Sequence, residues 1–538
     1  MIDPLLHYLS LNLSEQTKLF CLLNYGRHLY PILLMTTIYR ENDRISTVDN
    51  DLGTIRFIGT LPVWGDKTIA YGIEWDDPTR GKNNGDLNGI QYFTPIIPGS
   101  GTFIKSTNTK INSQHKSFID VVKEKYLDLE YTEQNIQIGS KIVEELGWEK
   151  LNKFQSDLKN LTSLTLDYCL ISFAYNTDQE SNSGDIFDNL NNLINLELSC
   201  NLFSDLNEIS KIIDNLPSLS QLNVNGNRFG KFSGIQKPHE NIKRLQVSGT
   251  LLPLETVSNL VKKFPNLEEL YISGNNYTDS DIQQFLLPAS VKLVDLSYNK
   301  LTVFPNTANS VTTLNISHNN LATNIISHSL PTLVSLDLRA NQINTWKEID
   351  SLSRCLPNIK ELRMNHNPIF NDLSIDDMTV QLIGRFECSK SGLWKLNGTY
   401  LNEEEIANGE LYFISKVEQG VYQIDNDSRW KHLLSKYDKK EQTLDNTFEE
   451  CKDWIQLTLV VSTSTTISKK FLKSTSILQF KGMISSALDG LSILKFSVYF
   501  YTNEGSRFAE RHELEDLLST LDNYGLLFNQ KVYIDIEV

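Results

Sequence analysis

The chain has no paired cysteines. Its six, at 21, 169, 200, 355, 388 and 451, stand far apart, and none belongs to a CxxC pair. Neither a disulfide framework nor a zinc site is expected of them; reduced thiols are. Basic residues are outnumbered, with 50 Lys and Arg against 66 Asp and Glu and a net charge of −16. A general nucleic-acid binder needs basic surface to neutralise phosphates, so nucleic acid is not an expected partner. The apolar stretch at 19–36, LFCLLNYGRHLYPILLMT, is interrupted by Asn24, Arg27, His28 and Pro31. It makes a poor membrane span, and no membrane is expected. Catalytic motifs are missing as well: HExxH, GxSxG, the kinase set, GxxxxGK[ST] and GxGxxG are all absent. The chain therefore reads as a non-enzyme without metal or other cofactor.

What is present is length and repetition. A chain of 538 residues exceeds one core and implies about three or four domains. Met35 opens a block that reads as the start of a domain. Residues 1–34 then read as an N-terminal extension or a start assigned too early. Between 42 and 106, glycines separate short β-rich runs: RISTV, GTIRFIG, TIAYGIEW, IQYF and GTFIK. That is the pattern of a small β-rich domain of tight turns, placed at 35–110. Residues 111–158, including FIDVVKEKYLDLEY and SKIVEELGWEKLNKF, read as a helical linker.

From 161 the chain repeats LxxLxLxxN nine times, beginning at residues 161, 193, 219, 242, 267, 291, 311, 333 and 359. Spacings of 20 to 32 residues fit a leucine-rich-repeat solenoid, in which each LxL is a short strand with both leucines inward. One copy cannot bury its apolar face, whereas stacked copies can. The closing asparagines, Asn201, Asn227, Asn275, Asn299, Asn319, Asn341 and Asn367, are expected to form a ladder to backbone groups, with Cys169 and Thr250 replacing two of them. His318 and His366 stand just before ladder asparagines and read as turn or surface residues. The sequence after 367 reads as a cap, which gives a repeat domain over 159–400. Residues 401–452 read as a second helical linker. Over 453–538, WIQLTLVV, FLKSTSI, QFKGMISSAL, KFSVYFY and KVYIDIE suggest a compact α+β domain of β-grasp type. The expected class is thus multi-domain: a small β-rich domain, an α/β solenoid and an α+β β-grasp domain.

The functional question is posed by RGKNNGDLNG at 80–89. Asn84-Gly85 alone would make a hairpin turn, but a plain turn accounts for neither Lys82 nor the aromatic residues around it. The order GTIRFIG, YGIEWDDP, RGKNNG, NGIQYF, GTFIK resembles a CAP-Gly domain. That family's hallmark, GKNDG, stands here as Gly81-Lys82-Asn83-Asn84-Gly85. The resemblance implies recognition of acidic C-terminal tails that end in an aromatic residue, as on α-tubulin. The chemistry suits that use. Lys82 offers a charge to a terminal carboxylate, Asn83 an amide, and Gly81 and Gly85 a close backbone approach. Trp64, Trp75, Phe93 and Phe103 are candidates to wall a slot for the terminal ring, although packing inside a small barrel accounts for each equally well. Arg80, Lys82 and Lys105 are the local positive points. Two departures stand out. Asn84 replaces the hallmark's acid, and Ala70 stands where the family carries Trp, with Trp64 and Tyr71 as candidates to fill that space.

CAP-Gly first, leucine-rich repeats second and a ubiquitin-like β-grasp domain last is an order that resembles the tubulin-folding cofactor E family. The resemblance implies a cytoplasmic, cytoskeleton-associated chaperone. Such a chaperone would bind α-tubulin and act with cofactors B and D in assembly and dissociation of the α/β-tubulin heterodimer. A proteasome contact through the ubiquitin-like domain is a further implication. Two other readings stay open from the residues: a microtubule-associated adaptor, and a ubiquitin-pathway scaffold.

Overall fold

The computed structural model describes residues 39–112, 114–127, 136–138, 141–143, 157–176, 183–232, 235, 237–283, 285–306, 310–322, 326, 328–439, 454–461, 466–488, 490–502, 509–527 and 529–536. Residues 1–34, read above as an extension, lie outside them. The chain divides into two compact units, 1–440 and 441–538.

The first unit opens with an antiparallel sheet in which β-branched and aromatic runs alternate with glycine turns. Its strands are β1 (Arg44–Thr47), β2 (Leu52–Thr60), β3 (Ile69–Trp75), β4 (Gly101–Lys105) and β5 (Ile111–Asn112), in the order β4-β3-β2-β1-β5. Tyr39, Ile45, Ile55, Tyr71, Ile73 and Trp75 form its core. The linker expected at 111–158 is corrected at its start. β5 is an edge strand paired with β1, and Lys116–Ser117 pairs with Ile171–Phe173 of the first repeat. The helix Phe118–Val122 then enters the solenoid core, with Phe118 stacked on Phe187 at 5.7 Å. The segment's charged, helix-friendly sequence read as a linker, yet Phe118, Ile119, Val121 and Val122 are buried in the solenoid core. The helix expected over 140–154 meets a strand at Lys141–Val143, and the rest of it lies outside the described residues.

The nine LxL runs form parallel three-residue strands, each with its central residue buried; the flanking residues are exposed in the first strand and half-exposed in the other eight. Lys395–Leu396 continues the sheet in parallel, and Thr399–Tyr400 closes it antiparallel. The residue before each ladder position has φ between 51° and 68°. Its N–H reaches the next repeat's carbonyl, as from His318 to Arg339 at 2.8 Å. The left-handed residue turns the chain out of the strand, so the asparagine side chain enters the interior.

Of residues 401–452, expected as a second helical linker, those up to 439 are described; they are helical as expected, but they pack as part of the cap. Helices α1 (Trp346–Cys355), α2 (Ile375–Arg385), α3 (Glu403–Glu418) and α4 (Asp427–Lys436) extend the cap. Phe413, Ile414, Leu433 and Leu434 make a core of their own. The charges that looked solvated are paired inside it: Glu410, fully unexposed, binds Arg429 at 2.7 Å, Lys436 at 2.5 Å and the Tyr437 hydroxyl at 2.7 Å. Arg385 is also fully buried, between Trp346 and Phe413 and 3.4 Å from Asp350. Burial pulls its pKa down to about 10 despite that carboxylate.

The small sheet is fastened to the solenoid through one carboxylate. Asp76 takes a bidentate hydrogen bond from the buried Arg44, at 2.6 and 2.5 Å, and lies 3.9 Å from Arg228 of the third repeat. Gly230 packs against Asn42, where an added Cβ would come within 2.6 Å.

The second unit has strands β6 (Trp454–Val460), β7 (Thr466–Leu472), β8 (Phe496–Thr502), β9 (Glu510–Glu513) and β10 (Gln530–Ile536) with helix α5 (Ile477–Ala487). The order is β7-β6-β10-β8-β9, with β6 and β10 parallel. Strand pair, helix, then a strand returning to the centre is the β-grasp arrangement. β7 lies earlier than FLKSTSI, because Ser476 caps α5 in a capping box with Gln479.

Candidate functional site

The loop Gly81–Gly85 runs beside β4. Lys82 and Asn83 donate their backbone N–H groups to Gly101, at 2.7 and 3.1 Å, and Gly101 returns one to Asn83 at 2.9 Å. Asn83 Oδ1 accepts from the Gly85 N–H at 3.0 Å, which turns the loop. Asn84 Oδ1 accepts from the Gly99 N–H at 2.6 Å. An amide oxygen thus supplies the acceptor that an acid would offer there. The glycines are dictated by packing. A Cβ at Gly81 would lie 1.8 Å from the Gly99 carbonyl oxygen; Gly85 has φ +81°, and a Cβ there would lie 2.0 Å from the Phe93 carbonyl oxygen.

Lys82 is exposed and has no ion-pair partner among the described residues. The other two cations are engaged. Arg80 forms an ion pair with Asp51 and lies over the Trp75 ring at 4.2 Å. Lys105 Nζ lies 5.7 Å from the Trp64 ring centre. Lys82 is therefore the cation this loop presents.

The four candidate aromatics divide. Trp75 is 2% exposed inside the sheet's core, so it does not wall an open slot. Its position on β3 alternates with the opposite face, and burial there won. Phe93 is nearly buried and Phe103 half-buried, with ring centres 5.5 Å apart. Both belong to a cluster that the sequence reading missed in part. Tyr92 lies 5.5 Å from Phe103, and Phe57 lies 5.2 Å from Tyr92 and 6.2 Å from Phe103. A register shift between Ile55 and Phe57 in β2 puts Phe57 on this face, a shift that alternation alone does not reveal. The face is floored by Gly72, whose added Cβ would meet Phe93 at 2.5 Å. It adjoins the loop through Gly85, whose carbonyl accepts from Tyr92 and Phe93. Tyr71 points into the core and does not fill the space beside Ala70. Trp64 is half-exposed with Lys105 beside it, and Lys105 is the cross-strand partner of Ala70.

The ladder asparagines are buried, none above 7% exposed. Asn201 is representative: Oδ1 accepts from Cys169 and Ile171, both at 3.0 Å, and Nδ2 donates to Leu166 at 2.7 Å and Leu198 at 3.0 Å. Thr250 holds its own turn through Val247 at 2.8 Å. The open face of the repeat strands is polar and internally linked. Arg244 bridges Gln221 at 2.8 Å and Glu269 at 2.6 and 3.0 Å, and burial together with Glu269 pushes the Tyr271 phenol up to about 12. No cluster of metal-ligating side chains occurs among the described residues, and no helix there is long and apolar enough to cross a membrane.

The CAP-Gly domain family matches residues 41–109. Protein PAC2 of Saccharomyces cerevisiae is 28% identical over 413 residues, covering 74% of this chain and 78% of that protein. Tubulin-specific chaperone E of Danio rerio is 27% identical over 351 residues, covering 60% of this chain. That match spans 63% of the zebrafish protein, less than two thirds of its length. The solution structure of the C-terminal ubiquitin-like domain of mouse tubulin-specific chaperone e matches 17% of this chain and 95% of its own, at 16% identity and a TM-score of 0.15.

Proposed function

We propose that this chain, a member of the tubulin-specific chaperone E family, is a tubulin-folding chaperone that holds α-tubulin by its C-terminal tail. It acts in the cytoplasm with cofactors B and D on assembly and dissociation of the α/β-tubulin heterodimer. One observation carries the reading: the loop presents a free lysine, a glycine-lined backbone and an aromatic face side by side. The terminal carboxylate meets Lys82 and the Asn83 amide. The terminal ring lies against Phe57, Tyr92 and Phe103, with Phe93 beneath.

A tail contact alone does not separate two subunits, because a ligand shifts an equilibrium only by its differential affinity for the two states. It raises the local concentration of the tubulin body at the polar open face of the solenoid, and the work of separation falls to that face and to the β-grasp unit. The proteasome contact belongs to the β-grasp unit.

Lys82→Ala tests the loop. Loss of one charge-assisted hydrogen bond costs about 1.5–3 kcal/mol, so the affinity of the full chain for an α-tubulin tail peptide falls by roughly tenfold or more. The melting temperature stays put, since the Lys82 side chain is exposed and forms no ion pair among the described residues. Unchanged peptide affinity refutes the carboxylate assignment.

A further inference from the structure

The small sheet has an open edge beside the Gly81–Gly85 loop. β4 is an edge strand, and its hydrogen bonds to β3 alternate along it. The Trp75 N–H reaches the Ser100 carbonyl at 3.0 Å, and the Ser106 N–H reaches the Ile69 carbonyl at 2.9 Å. With Ile73 opposite Thr102 and Gly72 opposite Phe103, the even-numbered residues of β4 bond to β3 and the odd-numbered ones turn their backbone outward. Gly101 is already used there: its N–H donates to Asn83, and its carbonyl accepts from Lys82 and Asn83. Two residues on, the N–H and carbonyl of Phe103 and the N–H of Lys105 have no partner among the described residues. The opening ends at the Lys105 carbonyl, which accepts from Asn108 at 3.0 Å.

An open edge invites stray pairing, and natural sheets shorten, bulge or cover it. The opposite edge, β5, is two residues long. β4 runs for five, without proline and without a bulge in its pairing to β3. Its opening begins about 7 Å along the strand from the carbonyl that Lys82 and Asn83 hold. The Phe103 ring, in contact with Phe57 and Tyr92, stands directly over it.

We infer that the tail is held by strand addition, with the last three residues of an extended peptide pairing along β4 at Phe103 and Lys105. The inference rests on the tail reading above and gives it a direction and a register. A carboxylate at Lys82 and Asn83 puts the peptide's C-terminal end beside Gly101, so the peptide runs antiparallel to β4. Its last residue pairs with Phe103: the N–H donates to the Phe103 carbonyl, and a carboxylate oxygen accepts from the Phe103 N–H. Cross-strand partners share a face, so the terminal ring falls beside Phe57, Tyr92 and Phe103. The third residue from the end pairs with Lys105 and shares that face. The penultimate side chain takes the other face, where Ile104 packs on the sheet's core, and its N–H points away from β4. The site therefore accepts an extended C-terminus and reads alternate residues of it.

The test uses the full chain and an α-tubulin tail peptide in three forms: unmodified, N-methylated on the backbone of the last residue, and N-methylated on the backbone of the penultimate residue. Each methyl group removes one donor and keeps every side chain. Affinity falls about threefold to tenfold for the methyl group on the last residue, which loses one hydrogen bond, and is unchanged for the penultimate one. Hydrogen exchange at single amides gives a second reading. The Phe103 and Lys105 amides slow when the unmodified peptide binds, while the Ile104 amide, already bonded to β3, does not change. No loss from the last-residue methyl group, a penultimate loss as large, or Phe103 and Lys105 amides that exchange as before overturns strand addition and leaves the tail reading standing. If the unmodified peptide does not bind, the tail reading fails and strand addition falls with it.

Discussion

Asn319→Ala removes a rung of the ladder, and its cost can be worked from the bonds it breaks. Asn319 is 3% exposed. Its Nδ2 donates to the carbonyls of Leu296 and Ile316, at 3.0 and 3.1 Å, and its Oδ1 accepts from the Leu301 N–H at 3.0 Å. The two carbonyls have second donors, Asn299 at 2.9 Å and Asn341 at 3.0 Å. They are weakened but not orphaned. Leu301, fully buried, has no other acceptor for its N–H among the described residues. One orphaned buried N–H costs about 1–3 kcal/mol, and thinning of the two shared carbonyl bonds brings the total to about 2–4 kcal/mol. The unit containing the solenoid should lose that much in urea unfolding. Hydrogen exchange should rise first at Leu301 and in the turns of repeats six and seven. A loss below about 0.5 kcal/mol, or exchange spread evenly over all nine repeats, would refute the reasoning.

Gly81→Ala drives a Cβ to 1.8 Å from the Gly99 carbonyl oxygen, so it should lower the melting temperature and abolish peptide binding together; retention of both would mean the loop can open away from Gly99. Glu410→Ala leaves Arg429, 5% exposed, and Lys436 without their shared carboxylate. Breaking such a buried pair costs about 3–5 kcal/mol, and α3 and α4 should become protease-sensitive; an unaltered digestion pattern would refute it. At Asp76, burial by itself raises the carboxyl, but Arg44, Arg228 and Arg56 outweigh it and hold it below the usual value. A depressed folded value means the stabilisation is complete above the unfolded pKa of about 4 and fades as pH falls through the folded one. The contact of Asn42 with Gly230 should hold at pH 5 and loosen only below about 4, as hydrogen exchange would read; loosening between pH 5 and 7 would contradict it.

The repeats were readable because LxxLxLxxN encodes the strand, the turn and the buried amide in one motif. The left-handed residue before each asparagine was not, since glycine marks it in only three of nine copies. In the Gly81–Gly85 loop, the glycines and Lys82 could be recognised by type, but the aromatic face could not be resolved. Trp75 and Phe103 sit in similar β-rich sequence, and only the sheet's two faces and the shift before Phe57 separate the core ring from the half-buried one. The stretch 403–436 was read as helical, but its packing into the cap was missed for a physical reason. A buried charge network carries the same composition as a solvated surface, and sequence shows the charges without their partners. The strand Glu510–Glu513 was missed likewise, as its residues, ERHE, are those of an exposed edge.

The central claim is that this chain separates or assembles tubulin subunits while holding the α-tubulin tail. The most direct measurement mixes the full chain with α/β-tubulin heterodimer, with and without the C-terminal aromatic residue of α-tubulin, and follows heterodimer loss by sizing chromatography. The account predicts loss of heterodimer that weakens when that residue is removed. Heterodimers that stay intact and simply co-elute with the chain would contradict it and make the protein an adaptor.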